Sequence, residues 1–204
     1  MFNQGIAKTT KATLERIVGV VKDNDFYLAG GTGLSLQLGH RVSIDLDFFT
    51  RKSFNPKMIA RQLQDFSLDQ EGEGTLHGVV NSTKITFLYY EYPLIEKFSN
   101  YIDIPVASTI DIATMKLNAI LRRNTKKDFI DLYFILKNIP LEILIDAFNK
   151  KYNLPNLDYS ILKSLTYFWD ADTEPMPVML IDVQWEKVKK ELSEIATKYL
   201  DNSK

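Results

Sequence analysis

The sequence predicts an α+β fold class, with strands and helices mixed in the first half and helices alone in the second. Three observations predict it. Apolar residues recur at helical spacing near the start, short β-branched and aromatic runs punctuated by glycine occupy residues 26 to 90, and from residue 108 helical spacing continues without a strand pattern. With 204 residues and 45% hydrophobic composition the chain can bury a substantial core, as one domain or as two small lobes. The expected division is an α+β lobe over residues 1–105 and a helical lobe over 106–204 packed against it, with the seam in "DIPVAS", residues 103–108.

In chain order, residues 9–23 place Leu14, Ile17, Val18 and Val21 on one helical face behind a threonine cap. "FYLA" (26–29) reads as a strand, Gly30-Gly31 as the turn that ends it, and "TGLSLQLG" as a helix with Leu34 and Leu38 in register and Gly39 as its stop. "VSIDLDFF" alternates, with Ile44, Leu46 and Phe48 on one face and Asp45 and Asp47 on the other. "NPKMIARQLQDF" reads as a helix with an Asn cap, an early proline and inward Ile59 and Leu63. "TLHGVV" and "KITFLYY" form a hairpin around "NSTK". Five helices follow, in "STIDIATMKLNAILRR", "KKDFIDLYFILKN", "PLEILIDAFNKKY", "DYSILKSLTYFW" and "VQWEKVKKELSEIATKYL". The first carries Ser108 and Asp111 in the capping-box spacing.

Composition removes several function classes. A formal charge of −1 excludes a uniformly basic surface, so a nucleic-acid partner would be met by a local patch. The absence of cysteine removes disulfides, thiolate metal sites and a thiol nucleophile, and His40 and His77 are too far apart in sequence to suggest zinc. Hard, oxygen-ligated metals remain. No signal-like segment and no long apolar span is present, so the expected location is the cytoplasm with no membrane crossing.

The chemistry concentrates in four groups. Asp45 and Asp47, as neighbours on one strand face, would repel by roughly 4 kcal/mol at about 4 Å and an effective dielectric near 20. They call for a cation, a basic neighbour or open water, and an Mg²⁺ ion shared with substrate phosphates fits such a pair. Gly30-Gly31-Thr32, between a strand and a helix, suits close approach of an anion to backbone amides, although a tight connection alone explains it equally. Among Lys116, Arg122, Arg123, Lys126 and Lys127, the seven-residue step turns Lys116 and Arg123 toward the same side, either to hold phosphates or as an ordinary charged helix end. Asp128 and Asp131 flank the stripe of Phe129, Leu132, Tyr133 and Leu136, either to neutralise Lys127 and Arg123 or to handle an acceptor hydroxyl. "TFLYYEYPL" reads as hairpin packing, with an exposed tyrosine stacked on a base as the alternative.

"GGTGLSLQLGHRVSIDLDFF" with "IPVASTIDIATMKLNAILRRNTKKDFIDLYFIL" resembles the AbiEii/AbiGii family of nucleotidyltransferase-like toxins, within the DNA polymerase β-type superfamily. The resemblance covers residues 26 to 137. It implies a minimal nucleotidyltransferase fold, a mixed sheet with flanking helices followed by a helical C-terminal lobe, with an active site in the cleft between them. It assigns Gly31 and Thr32 to the nucleotide-binding turn, Asp45 and Asp47 to the catalytic, metal-binding pair, Lys116 to a cleft lysine and Asp131 to a catalytic aspartate of the second lobe. Gly30, Arg41, Arg123 and Asp128 neighbour these motifs and join the nucleotide-binding set. The implied activity is Mg²⁺-dependent transfer from an NTP to RNA, with tRNA ends as acceptors in some members, Mn²⁺ as a substitute metal and a cognate antitoxin as partner.

Two departures stand out. Thr32 replaces the superfamily's serine and keeps its hydroxyl. The third carboxylate of many polymerase β-type enzymes is missing from "KITFLYY", with Glu91 just past its end, so a firmly held second metal is not expected. Two other readings stay open: an NTP-binding regulatory protein without chemistry, and an RNA-binding module built on the basic segment.

Overall fold

The computed structural model describes residues 1–154 and 157–202, and the chain forms two compact units, Met1–Ser108 and Thr109–Lys204. In the first unit a short 3-10 helix, Asn3–Gly5, precedes α1 (Lys8–Asp23), β1 (Tyr27–Leu28), α2 (Gly30–Leu38), β2 (Leu46–Thr50) and α3 (Pro56–Gln62). There follow β3 (Ser67–Gly72), β4 (Thr75–Val80), β5 (Thr83–Tyr89), β6 (Ser99–Tyr101) and β7 (Ile104–Val106). The strands make one mixed seven-stranded sheet of order β3-β4-β5-β2-β1-β7-β6. β2 runs parallel to β5 and β1 parallel to β7, and the other neighbours are antiparallel.

The core lies on one face of this sheet. Leu14, Ile17 and Val21 of α1 and Ile59 of α3 meet Leu28, Leu46, Phe48, Leu76, Ile85 and Phe87 from four strands. Thr13 joins them through a 3.0 Å hydrogen bond between its hydroxyl and that of Thr83, so the polar group is buried with a partner. α1 starts at Lys8 with Ala7 before it, so Thr9 and Thr10 lie inside the helix instead of capping it, Thr9 exposed and Thr10 buried. Asn55 does cap α3, accepting from the Lys57 amide at 3.0 Å, with Pro56 behind it.

Several expectations are corrected. The alternation in "VSIDLDFF" starts two residues too early: β2 begins at Leu46, and Ile44 is 57% exposed. The reason is that the backbone before β2 is held elsewhere, by a parallel bridge from Ile6 to Ser43 and by a 2.9 Å bond from the Thr10 hydroxyl to the Ile44 carbonyl. Gly30 and Gly31 open α2 instead of forming a turn before it. Within "DIPVAS", Ile104–Val106 is strand β7, tied back to β6 by a tight turn at Ile102 and Asp103, both at positive φ. β3 has no sequence-level counterpart, because every residue in it is exposed.

The second unit is helical: α4 (Thr109–Arg122), α5 (Lys126–Leu136), α6 (Leu141–Tyr152), α7 (Asp158–Ser164), the single turn α8 (Trp169–Asp172) and α9 (Trp185–Asn202). Leu117 and Ile120 of α4 are buried, as are Leu144 and Phe148 of α6 and Val188 and Leu192 of α9. α5 is buried from Asp128 through Ile135, so its carboxylates are interior groups. α7 stops short of the aromatic "TYFW". Phe168 then turns back onto Phe129 at 4.9 Å between ring centres. Among the described residues no helix is long and apolar enough to cross a membrane.

Candidate functional site

The first group of site residues lies where β1 passes into α2 beside β2. β1 and β2 are antiparallel, with Leu28 opposite Phe48, and the Ala29 amide donates to the Asp47 carbonyl at 3.0 Å. This pairing sets the start of α2 directly against the acidic strand. Gly30 has φ +58° and touches the Asp47 side chain so closely that a Cβ there would lie 3.1 Å from the Asp47 Cβ and Cγ. A Cβ on Gly31 would lie 2.5 Å from Arg41 Nη2 and 3.2 Å from Ser43 Oγ. Glycine is needed at the first position for its left-handed backbone as well as for the close approach, and at the second a Cβ would displace the end of the Arg41 side chain.

Thr32 acts one residue further on, its hydroxyl donating to the Asp45 carbonyl. Asp45 is thereby fixed by its backbone while its side chain stays half-exposed, as does that of Asp47. Arg41 is buried beside Gly31, so the positive neighbour of this region belongs to the same local fold. Ala29, at the N-cap of α2, supplies no side-chain oxygen to the helix terminus. First-turn amides without such a cap suit an anion. Two half-exposed carboxylates with hard oxygen donors fit one Mg²⁺ that takes its remaining ligands from phosphate and water. Among the described residues no group of three or more His, Cys, Asp or Glu side chains suits a metal, so the pair has no third protein ligand of those types. Thr86 of β5 stands in register beside Asp47, and Glu91 lies exposed beyond the strand.

The second group is built on α4 and α5. Lys116 is 8% exposed, and its Nζ lies 2.7 Å from Asp128 Oδ1 and 2.6 Å from Asp131 Oδ2. Asp128 Oδ2 accepts from Arg123 Nε at 3.3 Å and from the Thr125 hydroxyl at 2.7 Å. The seven-residue step therefore brings Lys116 and Arg123 to one carboxylate. Burial pushes the Asp128 carboxyl up, but the Lys116 charge and hydrogen bond, the Thr125 hydroxyl and the Arg123 charge together hold it below the usual carboxylate range. Asp128 is thus an ionised acceptor with both oxygens engaged. The cations at Asp128 are Lys116 and Arg123, and Lys127 is exposed.

One further reading of the basic segment needs correction. Lys126 is buried, its amide donating to Glu174 Oε2 at 2.8 Å and its ammonium to the Glu174 carbonyl beneath the Trp185 ring. It is an anchor for the 172–174 segment and is not available to an outside anion. Asp111 ion-pairs with Lys151 of α6 at 2.6 Å, with both side chains buried, a role its capping-box spacing does not suggest. Thr125 was legible and missed, since Thr125-x-x-Asp128 has the capping-box spacing. Ser43 and Lys151 carry no such signal. The aromatic segment packs edge to face, Phe49 on Tyr90 at 5.4 Å and Tyr90 on Tyr92 at 5.0 Å.

Comparison with known families decides the identity. The family described as "Nucleotidyl transferase AbiEii toxin, Type IV TA system" matches residues 12–87 and 84–200, which is most of the chain and includes both groups of side chains. The chain belongs to the AbiEii nucleotidyltransferase toxin family. This AbiEii chain is 39% identical over 207 residues to the protein aq_aa25 of Aquifex aeolicus (strain VF5), covering 97% of the chain and 98% of that protein. Its fold is similar to that of a solved putative nucleotidyltransferase of H. pylori, with TM-score 0.60, 18% identity and coverage of 97% and 99% of the two chains. It is also similar to MenT4, a nucleotidyltransferase toxin of Mycobacterium tuberculosis H37Rv, with TM-score 0.57, 15% identity and coverage of 92% and 82%. The AbiEii chain accordingly has a nucleotidyltransferase fold, a mixed sheet with flanking helices followed by a helical region.

Proposed function

We propose that this AbiEii toxin transfers a nucleotide from an NTP to a hydroxyl at an RNA end, tRNA included, with Mg²⁺. The observation that carries the reading is the direct contact of Gly30 with Asp47 and the close approach of Gly31 to Arg41, which puts an anion-suited helix start, a buried guanidinium and an acidic pair in one place. A phosphate alone would be repelled by the two carboxylates, and a metal alone by the arginine. A magnesium nucleotide presents both charges at once and satisfies both.

In this mechanism the amides of Gly31 and Thr32 and the Arg41 guanidinium bind the terminal phosphates. Asp45 and Asp47 would hold Mg²⁺, which supplies charge neutralisation at the phosphates when bound. The acceptor oxygen attacks the α-phosphorus, the bond to the bridging oxygen breaks, and pyrophosphate and the hydroxyl proton are released. Lys116, which the family resemblance assigns to charge on the transferred phosphoryl group, is held within the helical unit by Asp128 and Asp131. Asp131 is fully buried, with Oδ2 at the lysine ammonium, so its role is to orient Lys116 together with Asp128, instead of meeting the acceptor itself.

Nucleotide binding measured by calorimetry with and without Mg²⁺ tests the site, together with growth on expression. The metal should strengthen NTP binding in the wild type and not in Asp45→Ala or Asp47→Ala, and both substitutions should relieve growth inhibition. Equal metal-linked affinity and equal inhibition in all three proteins would remove the acidic pair from the mechanism.

A further inference from the structure

β2 directs Leu46 and Phe48 into the core, which turns Asp47 to the opposite face of the sheet. Parallel β5 sets Thr86 beside Asp47, and antiparallel β4 sets His77 beside Thr86. Because Ile85 and Phe87 belong to the core, Lys84 and Thr86 share the face of Asp47. Adjacent strands are about 4.8 Å apart, so Thr86 and His77 step away from the acidic pair in one row. Thr86 Oγ1 and His77 Nδ1 are 3.1 Å apart and half-buried, and Lys84 is exposed. A half-exposed sheet face tolerates such residues without any function. Direction is what distinguishes this row.

Gly30, Gly31 and Arg41 lie on the β1 side of Asp47, whereas Thr86 and His77 lie on the β5–β4 side. In phosphoryl transfer the attacking and leaving oxygens are roughly in line, on opposite sides of the phosphorus. If pyrophosphate leaves toward the α2 start, the attacking hydroxyl must arrive over β5 and β4. We propose that Lys84, Thr86 and His77 form the acceptor-side subsite, which binds the terminal ribose and adjoining phosphate of an RNA end. The Lys84 ammonium meets the phosphate, while the Thr86 hydroxyl and the imidazole it orients meet the ribose hydroxyls. This inference rests on the transferase reading.

The test is steady-state transfer of labelled nucleotide to total tRNA, with Mg²⁺, by wild type, Lys84→Ala, Thr86→Val, His77→Ala and His77→Gln. Each alanine or valine change should raise the KM for RNA by about tenfold, the effect of one lost polar contact to an anionic ligand, with the NTP KM unchanged. His77→Gln, which keeps a hydrogen-bonding group, should recover part of that loss. Lys84→Ala should also reduce the dependence of log KM on log salt by about 0.7 to 1. Circular dichroism and thermal melts like those of the wild type would assign these changes to binding. If the wild type transfers nucleotide and the KM for RNA is unchanged in all the variants, or only the NTP KM rises, the subsite is overturned and the transferase reading stands. If the wild type transfers nothing with any of the four NTPs, both fall.

Discussion

Gly30→Ala tests the joint between the glycine pair and the acidic strand. The backbone at Gly30 has φ +58°, which costs a residue with a Cβ about 1–2 kcal/mol. The added methyl would also meet Asp47 Oδ2 and lie 3.1 Å from the Asp47 Cβ and Cγ. The oxygen can rotate away, but the Cβ moves only with the β2 backbone, and overpacking of this kind costs about 1–3 kcal/mol. The total is roughly 2–5 kcal/mol, which lowers the melting temperature by about 4–20 °C for a chain of this size. The carboxylate must shift at the same time, so the Mg²⁺-linked gain in NTP affinity should be lost in the folded variant. Thermal melts with calorimetry at a temperature well below the transition check both parts. A variant that melts with the wild type and keeps its metal-linked affinity would refute the close packing of Gly30 on Asp47.

The Lys116 cluster makes a second pair of expectations. Lys116→Ala removes the cation shared by two buried carboxylates, leaving Asp128 with the more exposed Arg123, and should cost about 3–5 kcal/mol in urea unfolding as well as at least a hundredfold in transfer. Asp131→Asn removes one charge and keeps the shape, so it should retain more stability while still losing transfer; normal single-turnover transfer by this variant would show that Asp131 does not orient the lysine. Asp128 contributes to the acid limb of stability. A carboxyl whose folded pKa lies below its unfolded one binds fewer protons when folded, so its contribution is complete above the ordinary value of 3.8 and is lost as pH falls through the lower folded value. Asp128→Asn should therefore lose less stability than the wild type between neutral pH and about pH 3, and parallel acid limbs would contradict the assignment. Lys126→Ala should destabilise the helical unit by about 1–3 kcal/mol and leave the salt dependence of RNA binding unchanged, because its ammonium is buried on Glu174. A reduced salt slope would return Lys126 to the surface.

Most of the helices were legible because each buries a stripe at a fixed period, and the hairpin β4–β5 was legible because its inward and outward residues alternate. β3 was not, since an edge strand with no buried residue leaves no alternation to read. The β6–β7 hairpin was hidden because Ile102, a β-branched residue, occupies a positive-φ turn position where glycine or asparagine is the usual signal. Ile44 continued an apolar alternation that hydrogen bonds from the N-terminal segment interrupt, and no local pattern encodes those partners. In the candidate site the glycine pair and Asp45-x-Asp47 were visible as residue types that need a reason. Their contact was not, because it depends on β1 and β2 pairing antiparallel at Leu28 and Phe48. The buried state of Lys116, Lys126 and Lys151 was likewise out of reach, since a lysine in sequence reads as surface until its carboxylate partner is placed.

The most direct test of the central claim is the mass of RNA after incubation with the purified protein, Mg²⁺ and each NTP in turn. The account predicts that some RNA ends gain the mass of one or more nucleoside monophosphates with the wild type, that pyrophosphate appears in equal number, and that Asp45→Ala and Asp47→Ala give neither. Unchanged RNA with all four NTPs, or the same mass gain from the aspartate variants, would contradict it.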